Sequence, residues 1–193
     1  MNFFEEPKNG GLVFMLVGLL SLIGAIVALA NGVTSTDQLT DMAGYIVIAI
    51  GAVLASLVYL RFGKELRDGA HTEKMDILSY IVRTAGVAII IASLFSIVGS
   101  ALIEIGAIVS PIIMLIVGFI FIWVFKKMTD SKATTVDKVI WILLLVASIL
   151  LLIGGLGSLF NIYTLLIGLC DIFIGIMILF YVLDNDVKKQ MGM

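Results

Sequence analysis

Long apolar stretches separated by short polar breaks set the pattern of this chain. Each runs to about twenty residues, the length an α-helix needs to cross a hydrocarbon core roughly 30 Å thick. A transmembrane strand would instead show about ten residues of alternating polarity, and these stretches do not alternate. The pattern predicts helices near 10–32, 43–62, 80–102, 105–125, 138–157 and 162–183. The expected fold is an all-α membrane protein with six transmembrane helices in a single domain, 1–193.

Composition agrees. The chain is 61% hydrophobic and 13% charged, with a mean hydropathy of +1.19, and so carries about half the charged residues of an ordinary soluble domain. Water has no place for that much apolar surface. Lipid accepts it and requires only that backbone N–H and C=O groups be paired, which a helix does internally. The first stretch is expected to persist in the mature protein, because the acidic pair Glu5-Glu6 and a single lysine precede it and no small-residue cleavage site follows.

Charge placement adds an orientation. The breaks from Thr34 to Met42, around Glu104 and around Asn161 contain no Lys or Arg. The basic residues fall at the opposite helix ends: Lys8; Arg61, Lys64, Arg67, Lys74 and Arg83; Lys126, Lys127, Lys132 and Lys138; Lys188 and Lys189. Basic loops stay cytoplasmic, so both termini are expected inside, in a cell membrane crossed many times. Acids are interleaved with these bases, while Asp37, Asp41 and Glu104 mark the other side. That mixture lacks the clustered Lys and Arg of a polybasic lipid patch or a nucleic-acid surface. The lipid bilayer is the expected partner, and nucleic acid is not.

An internal repeat organises the spans. Val17-Gly18-Leu19-Leu20-Ser21-Leu22-Ile23-Gly24 aligns with Ala92-Ser93-Leu94-Phe95-Ser96-Ile97-Val98-Gly99 and with Ala147-Ser148-Ile149-Leu150-Leu151-Leu152-Ile153-Gly154. Sixteen residues before each closing glycine stands a base, Lys8, Arg83 or Lys138. From Arg83 onward an offset of 55 also places Phe125 over Phe180. Three tandem helical hairpins are therefore expected, about 8–68, 80–130 and 135–187. Each holds two spans, so successive units point the same way, unlike the inverted repeats of many alternating-access transporters.

Six spans built as three short hairpins, each with a Gly-bearing apolar motif, resemble the HdeD-like family of acid-resistance membrane proteins. The segment Thr164-Leu165-Leu166-Ile167-Gly168-Leu169-Cys170-Asp171-Ile172-Phe173 is similar to the final span of that family. The resemblance implies an association with stress tolerance and no enzymatic chemistry.

Asp171 is the leading candidate for a functional residue. It lies about 13 Å along the sixth span from its outer end, where an Asp costs about 2.5–3.5 kcal/mol and normally faces the bundle interior or a wet cavity. No base lies deep enough to pair with it. Protonation removes the charge and lets the acid donate a hydrogen bond, and Ser21 and Ser96, both thirteen residues past their bases, are the expected partners by depth. Two roles follow: a protonatable site in a small transporter or channel, or a neutral side chain that joins helices.

Gly24, Gly99, Gly154, Gly168 and Gly175 are expected helix-packing positions. Trp123, Trp141, Tyr59 and Tyr181 read as an interfacial belt at the basic ends, with Tyr163 on the other side. His71, the single histidine, falls in a charge-alternating segment that predicts a solvated helical extension with a turn at Gly69-Ala70. One His and one Cys, a hundred residues apart, supply neither a metal shell nor a nucleophile–base pair. No metal, cofactor or enzymatic activity is expected. The leading function is a non-enzymatic integral membrane protein, stress-related or structural, with the transporter or channel past Asp171 as the alternative. Three hairpins are few to enclose a pore, so a homo-oligomer is the expected assembly for that alternative.

Overall fold

A computed structural model of the chain describes residues 6–130, 135–161 and 164–193. Glu5, Lys132 and Tyr163, together with the expected start of the sixth span at 162, lie outside them. The helices are α1 Pro7–Thr34, α2 Leu39–Arg67, α3 Lys74–Ile103, α4 Val109–Met128, α5 Thr135–Ser158, α6 Leu165–Leu183 and α7 Asn185–Gln190, with a 3-10 turn at Ile105–Ile108 leading into α4. The described residues contain no strand. The first six helices, α4 with its leading turn, are long and apolar enough to cross a membrane. The chain is an all-α, multi-pass membrane protein. Ile113, Ile116 and Phe119 of α4 and Leu143, Leu150 and Ile153 of α5 face outward and are exposed, a surface suited to lipid rather than water.

Local chemistry sets the helix ends. Pro7 opens α1, where its fixed φ and missing N–H suit the first turn. α2 runs five residues past its expected end and places Lys64 and Arg67 in its last turn, where cations complement the free carbonyls. It stops at Gly69, which adopts φ 83°. The Ala70 amide then donates to the Glu65 carbonyl at 3.0 Å and the Gly69 amide to that of Leu66 at 3.2 Å, the paired closure that favours glycine at this position. The predicted turn at Gly69-Ala70 is present.

Consecutive helices run antiparallel, so the basic residues gather at one end of the bundle. α1 packs on α2, α2 on α3, α3 on α4, and α5 on α6, while α6 returns to α1. The three hairpins are present, but α2 and α3 pack as extensively as helices within a hairpin. The third hairpin joins the rest mainly through the α1–α6 contact.

Glycine pairs bring the helices together. A Cβ on Gly11 would lie 2.6 Å from the Gly63 carbonyl oxygen, and one on Gly63 would lie 2.7 Å from that of Gly11. The same reciprocity holds for Gly44 with Gly99 (2.6 and 2.5 Å), Gly86 with Gly118 (3.1 and 3.2 Å) and Gly155 with Gly168 (2.7 and 2.6 Å). Each of the four main antiparallel interfaces thus has one crossing at which backbone meets backbone. Without a hydrophobic force between helices in lipid, such close approach is what gains dispersion energy.

The buried core lies toward the basic end. Phe14, Leu66, Ile77, Leu78, Ile81, Ile140, Met177, Ile178 and Tyr181 are fully covered there. α7 closes that end, with Val187 and Met191 buried and Asp184 capping its first turn through the Asp186 amide at 2.9 Å. Lys74 Nζ donates to Asp184 at 2.7 Å and lies 3.7 Å from Asp186, tying α7 to the start of α3.

Partial burial pushes the Asp184 carboxyl up, but the Lys74 hydrogen bond, the Asp186 amide, the Lys74 charge and the Val187 amide together hold it below its ordinary value. A depressed folded pKa contributes stability that is present above the unfolded value, about 3.9, and is lost as pH falls through the folded one. Acidification below about pH 4 should therefore release α7. Protection factors of the 185–191 amides, corrected for intrinsic exchange, should drop over that range in the native chain and be low throughout in Asp184→Asn. A native profile flat down to pH 2 would refute this.

Candidate functional site

The middle of the α1, α2 and α6 junction carries the polar residues that the sixth span places in the apolar region. Cys170 is buried. Its Sγ lies 3.5 Å from the Val17 carbonyl oxygen and 3.4 Å from Ser21 Oγ. A thiol has one proton, so with S–H given to Val17 the Ser21 hydroxyl donates to sulfur. Asp171 is the next residue and is rotated about 100° around the helix. It is half-buried. Tyr59 of α2 is within electrostatic reach of both Cys170 and Asp171. Among the described residues the Asp171 carboxyl makes no hydrogen bond or ion pair.

The expected trio of Asp171, Ser21 and Ser96 is therefore not assembled. Ser21 is at the right depth and next to the right segment, but its partner is Cys170. Ser96 lies elsewhere. With Ser93, Ser100 and Ser110 it lines a cleft of about 410 Å³ between α3 and α4. Helical rise speaks only to the depth of Ser96; its direction depends on α3 facing α4 there, and α6 meets α3 only lightly. The serine at i, i+3 and i+7 on α3 was the legible signal for this cleft.

The glycine expectations divide. Gly99, Gly168 and Gly175 are at close contacts, Gly175 lying 3.1 Å from the Ser148 carbonyl oxygen by the same Cβ measure. Gly24 meets Leu166 loosely at 3.7 Å. Gly154 has open space around it, and its neighbour Gly155 makes the crossing instead. The packing role assigned to Gly154 is corrected for that reason: α5 turns the other residue of the pair toward α6. The three repeat glycines have a common register but not a common environment.

Two members of the expected aromatic belt are interior. Tyr181 is 1% exposed, and Tyr59 is half-buried against the core. Trp141 donates from Nε1 to the Val182 carbonyl at 2.8 Å, satisfying an acceptor freed at the end of α6, whereas Trp123 faces outward. His71 is not on a solvated extension. It is buried, its Nδ1 lies 2.7 Å from Asp76 Oδ2, and its ring stacks 3.9 Å from that of Tyr80. Among the described residues no group of three His, Cys, Asp or Glu side chains could hold a metal ion.

This geometry puts Asp171 beside the contact of α6 with α1. Comparison with protein-family models, with curated proteins and with solved structures finds no match to this chain.

Proposed function

We propose that the chain is a non-enzymatic structural protein of the cell membrane, related to stress tolerance, with both termini in the cytoplasm. The reciprocal glycine crossings carry this reading, because they place backbone against backbone at all four main antiparallel interfaces. That arrangement favours a rigid packed scaffold over helices that slide past one another. The gathering of bases at one end supports the orientation. The stress association rests on the resemblance of the hairpin repeat and of the 164–173 segment to the HdeD-like family.

In this reading Asp171 is a neutral polar side chain next to the α1–α6 contact, not a relay. Asp171→Asn keeps the shape and hydrogen-bonding capacity while removing the exchangeable charge. The variant should assemble normally, and cells carrying it should survive an acid challenge as well as the native strain, whereas cells lacking the chain should survive less well. Proton flux into liposomes should be equal for both proteins. A correctly assembled Asn variant that loses acid survival or a measurable flux would establish the transporter or channel reading instead.

A further inference from the structure

At the basic end, α2 and α3 flank a cleft of about 210 Å³ whose lining includes Arg61, Arg83, Tyr80 and Thr84. Arg83 sits against two rings, its Cζ lying 5.2 Å from the Tyr80 centroid and 5.6 Å from that of Phe125. Such cation–π contacts hold the guanidinium in place while its N–H donors can still bind something else. Among the described residues no carboxylate pairs with it. Arg61 gives its Nε–H to Glu65 at 2.8 Å, which leaves the donors on its two terminal nitrogens. Thr84 is only 6% exposed, and neither its hydroxyl nor that of Tyr80 has a hydrogen-bond partner among the described residues. Two guanidinium groups against one carboxylate, with two hydroxyls left over, make a cationic, donor-rich pocket.

Its walls show what kind of anion fits. Val58 and Val87 also line the cleft. Val58 is one turn deeper than Arg61 on α2, by about 4.5 Å, and Val87 is one turn deeper than Arg83 on α3, by about 6 Å. Charge lies at the mouth and apolar surface continues inward. We propose that this cleft binds the phosphate headgroup of an anionic phospholipid, its acyl chains running along the α2–α3 groove beyond the two valines. Guanidinium forks match phosphate oxygens, and a free phosphate would leave the apolar wall unused. This is a discrete site made by two arginines, one held against rings and one tethered by a carboxylate, not a diffuse polybasic patch, whose attraction depends on several clustered bases.

Native mass spectrometry of the full chain, released from micelles containing phosphatidylglycerol or phosphatidylcholine, tests the proposal. The native protein should retain phosphatidylglycerol about tenfold more than phosphatidylcholine, the ratio that one charge-assisted contact of about 1.4 kcal/mol sustains. Arg83→Gln and Arg61→Gln should each remove most of that preference. Arg61 is 83% exposed at its side chain, so its variant tests the site even if loss of the Arg83–ring contacts disturbs folding. Millimolar inorganic phosphate should leave the retained lipid unchanged. Equal retention of the two lipids, a preference untouched in Arg61→Gln, or displacement of the lipid by inorganic phosphate would each overturn the assignment, the last in favour of a free-phosphate site.

Discussion

Alanine at Gly155 should destabilise the third hairpin, while alanine at the adjacent Gly154 should not. A methyl group on Gly155 would lie 2.7 Å from the Gly168 carbonyl oxygen, 2.8 Å from Ile172 Cγ1 and 3.1 Å from the Ile172 amide nitrogen. Two of those atoms are backbone, so relief requires α5 and α6 to move apart along the whole contact. Overpacking of this kind costs roughly 1–3 kcal/mol. At Gly154 the same methyl meets nothing within 4 Å and removes glycine's helix penalty, a gain of up to about 1 kcal/mol. Adjacent residues of the same type should thus respond with opposite sign. Reversible unfolding in mixed detergent micelles, followed by far-ultraviolet circular dichroism, measures both. Equal responses, or a larger loss at Gly154, would mean that α5 presents a different face to α6.

The largest single loss should come from Phe14→Ala. Phe14 is fully buried, and its ring meets Phe62 edge to face at 4.9 Å and 70°. Phe62 continues to His71 at 6.1 Å, and His71 to Tyr80, so the ring fills the first place in a row that crosses from α1 to α3. Lipid is as apolar as a protein core, so the unfolded reference in a membrane loses little by exposing the ring. The cost comes instead from the cavity and the lost dispersion contacts, which puts it near 3 kcal/mol, at the low end of the range for Phe→Ala. Leu12, two residues earlier on the outward face and 50% exposed, is the control, and its alanine variant should change stability by less than about 0.5 kcal/mol. The same micelle titration reads both. A Phe14 variant no weaker than the Leu12 variant would show that the core does not lie at the basic end.

Much of the fold was legible in hydropathy. The six long helices fall on the six predicted stretches, because span length and apolarity are one-dimensional properties that the bilayer selects directly. The extension of α2 to Arg67 and of α3 back to Lys74 was visible only as alternating charge, which marks a solvated helix but not its end. α7 was missed. Its signal, an N-capping Asp184 before Asn185 and Asp186, was present, but a six-residue helix is held by tertiary contacts, here the burial of Val187 and Met191, rather than by its own propensity.

The candidate site divides along the same line. Ser21 and Asp171 were placed at similar depths from rise alone, and Ser21 does reach α6, though through Cys170. Tyr59 and Cys170 were not chosen as partners of this junction, because nothing in a single chain tells which face of α2 or α6 turns toward α1. Arg83 was legible as the base that opens its repeat; its contacts with the rings of Tyr80 and Phe125 need residues from two helices.

By itself, the sequence determined that this chain is all-helical, that its long apolar helices come as membrane-length hairpins, and where along its helix each polar residue lies. These follow from a regular rise of about 1.5 Å per residue and from the pairing of backbone groups in lipid. The tertiary structure decided azimuth: that Gly155 and not Gly154 meets α6, that Ser96 faces α4, that Tyr181 is interior, and that Arg61 and Arg83 meet across one cleft. Apolar residues surround most of these helices on every side, so the amphipathic stripe that would announce a buried face in water is missing. Only the fit of one helix against another chooses it.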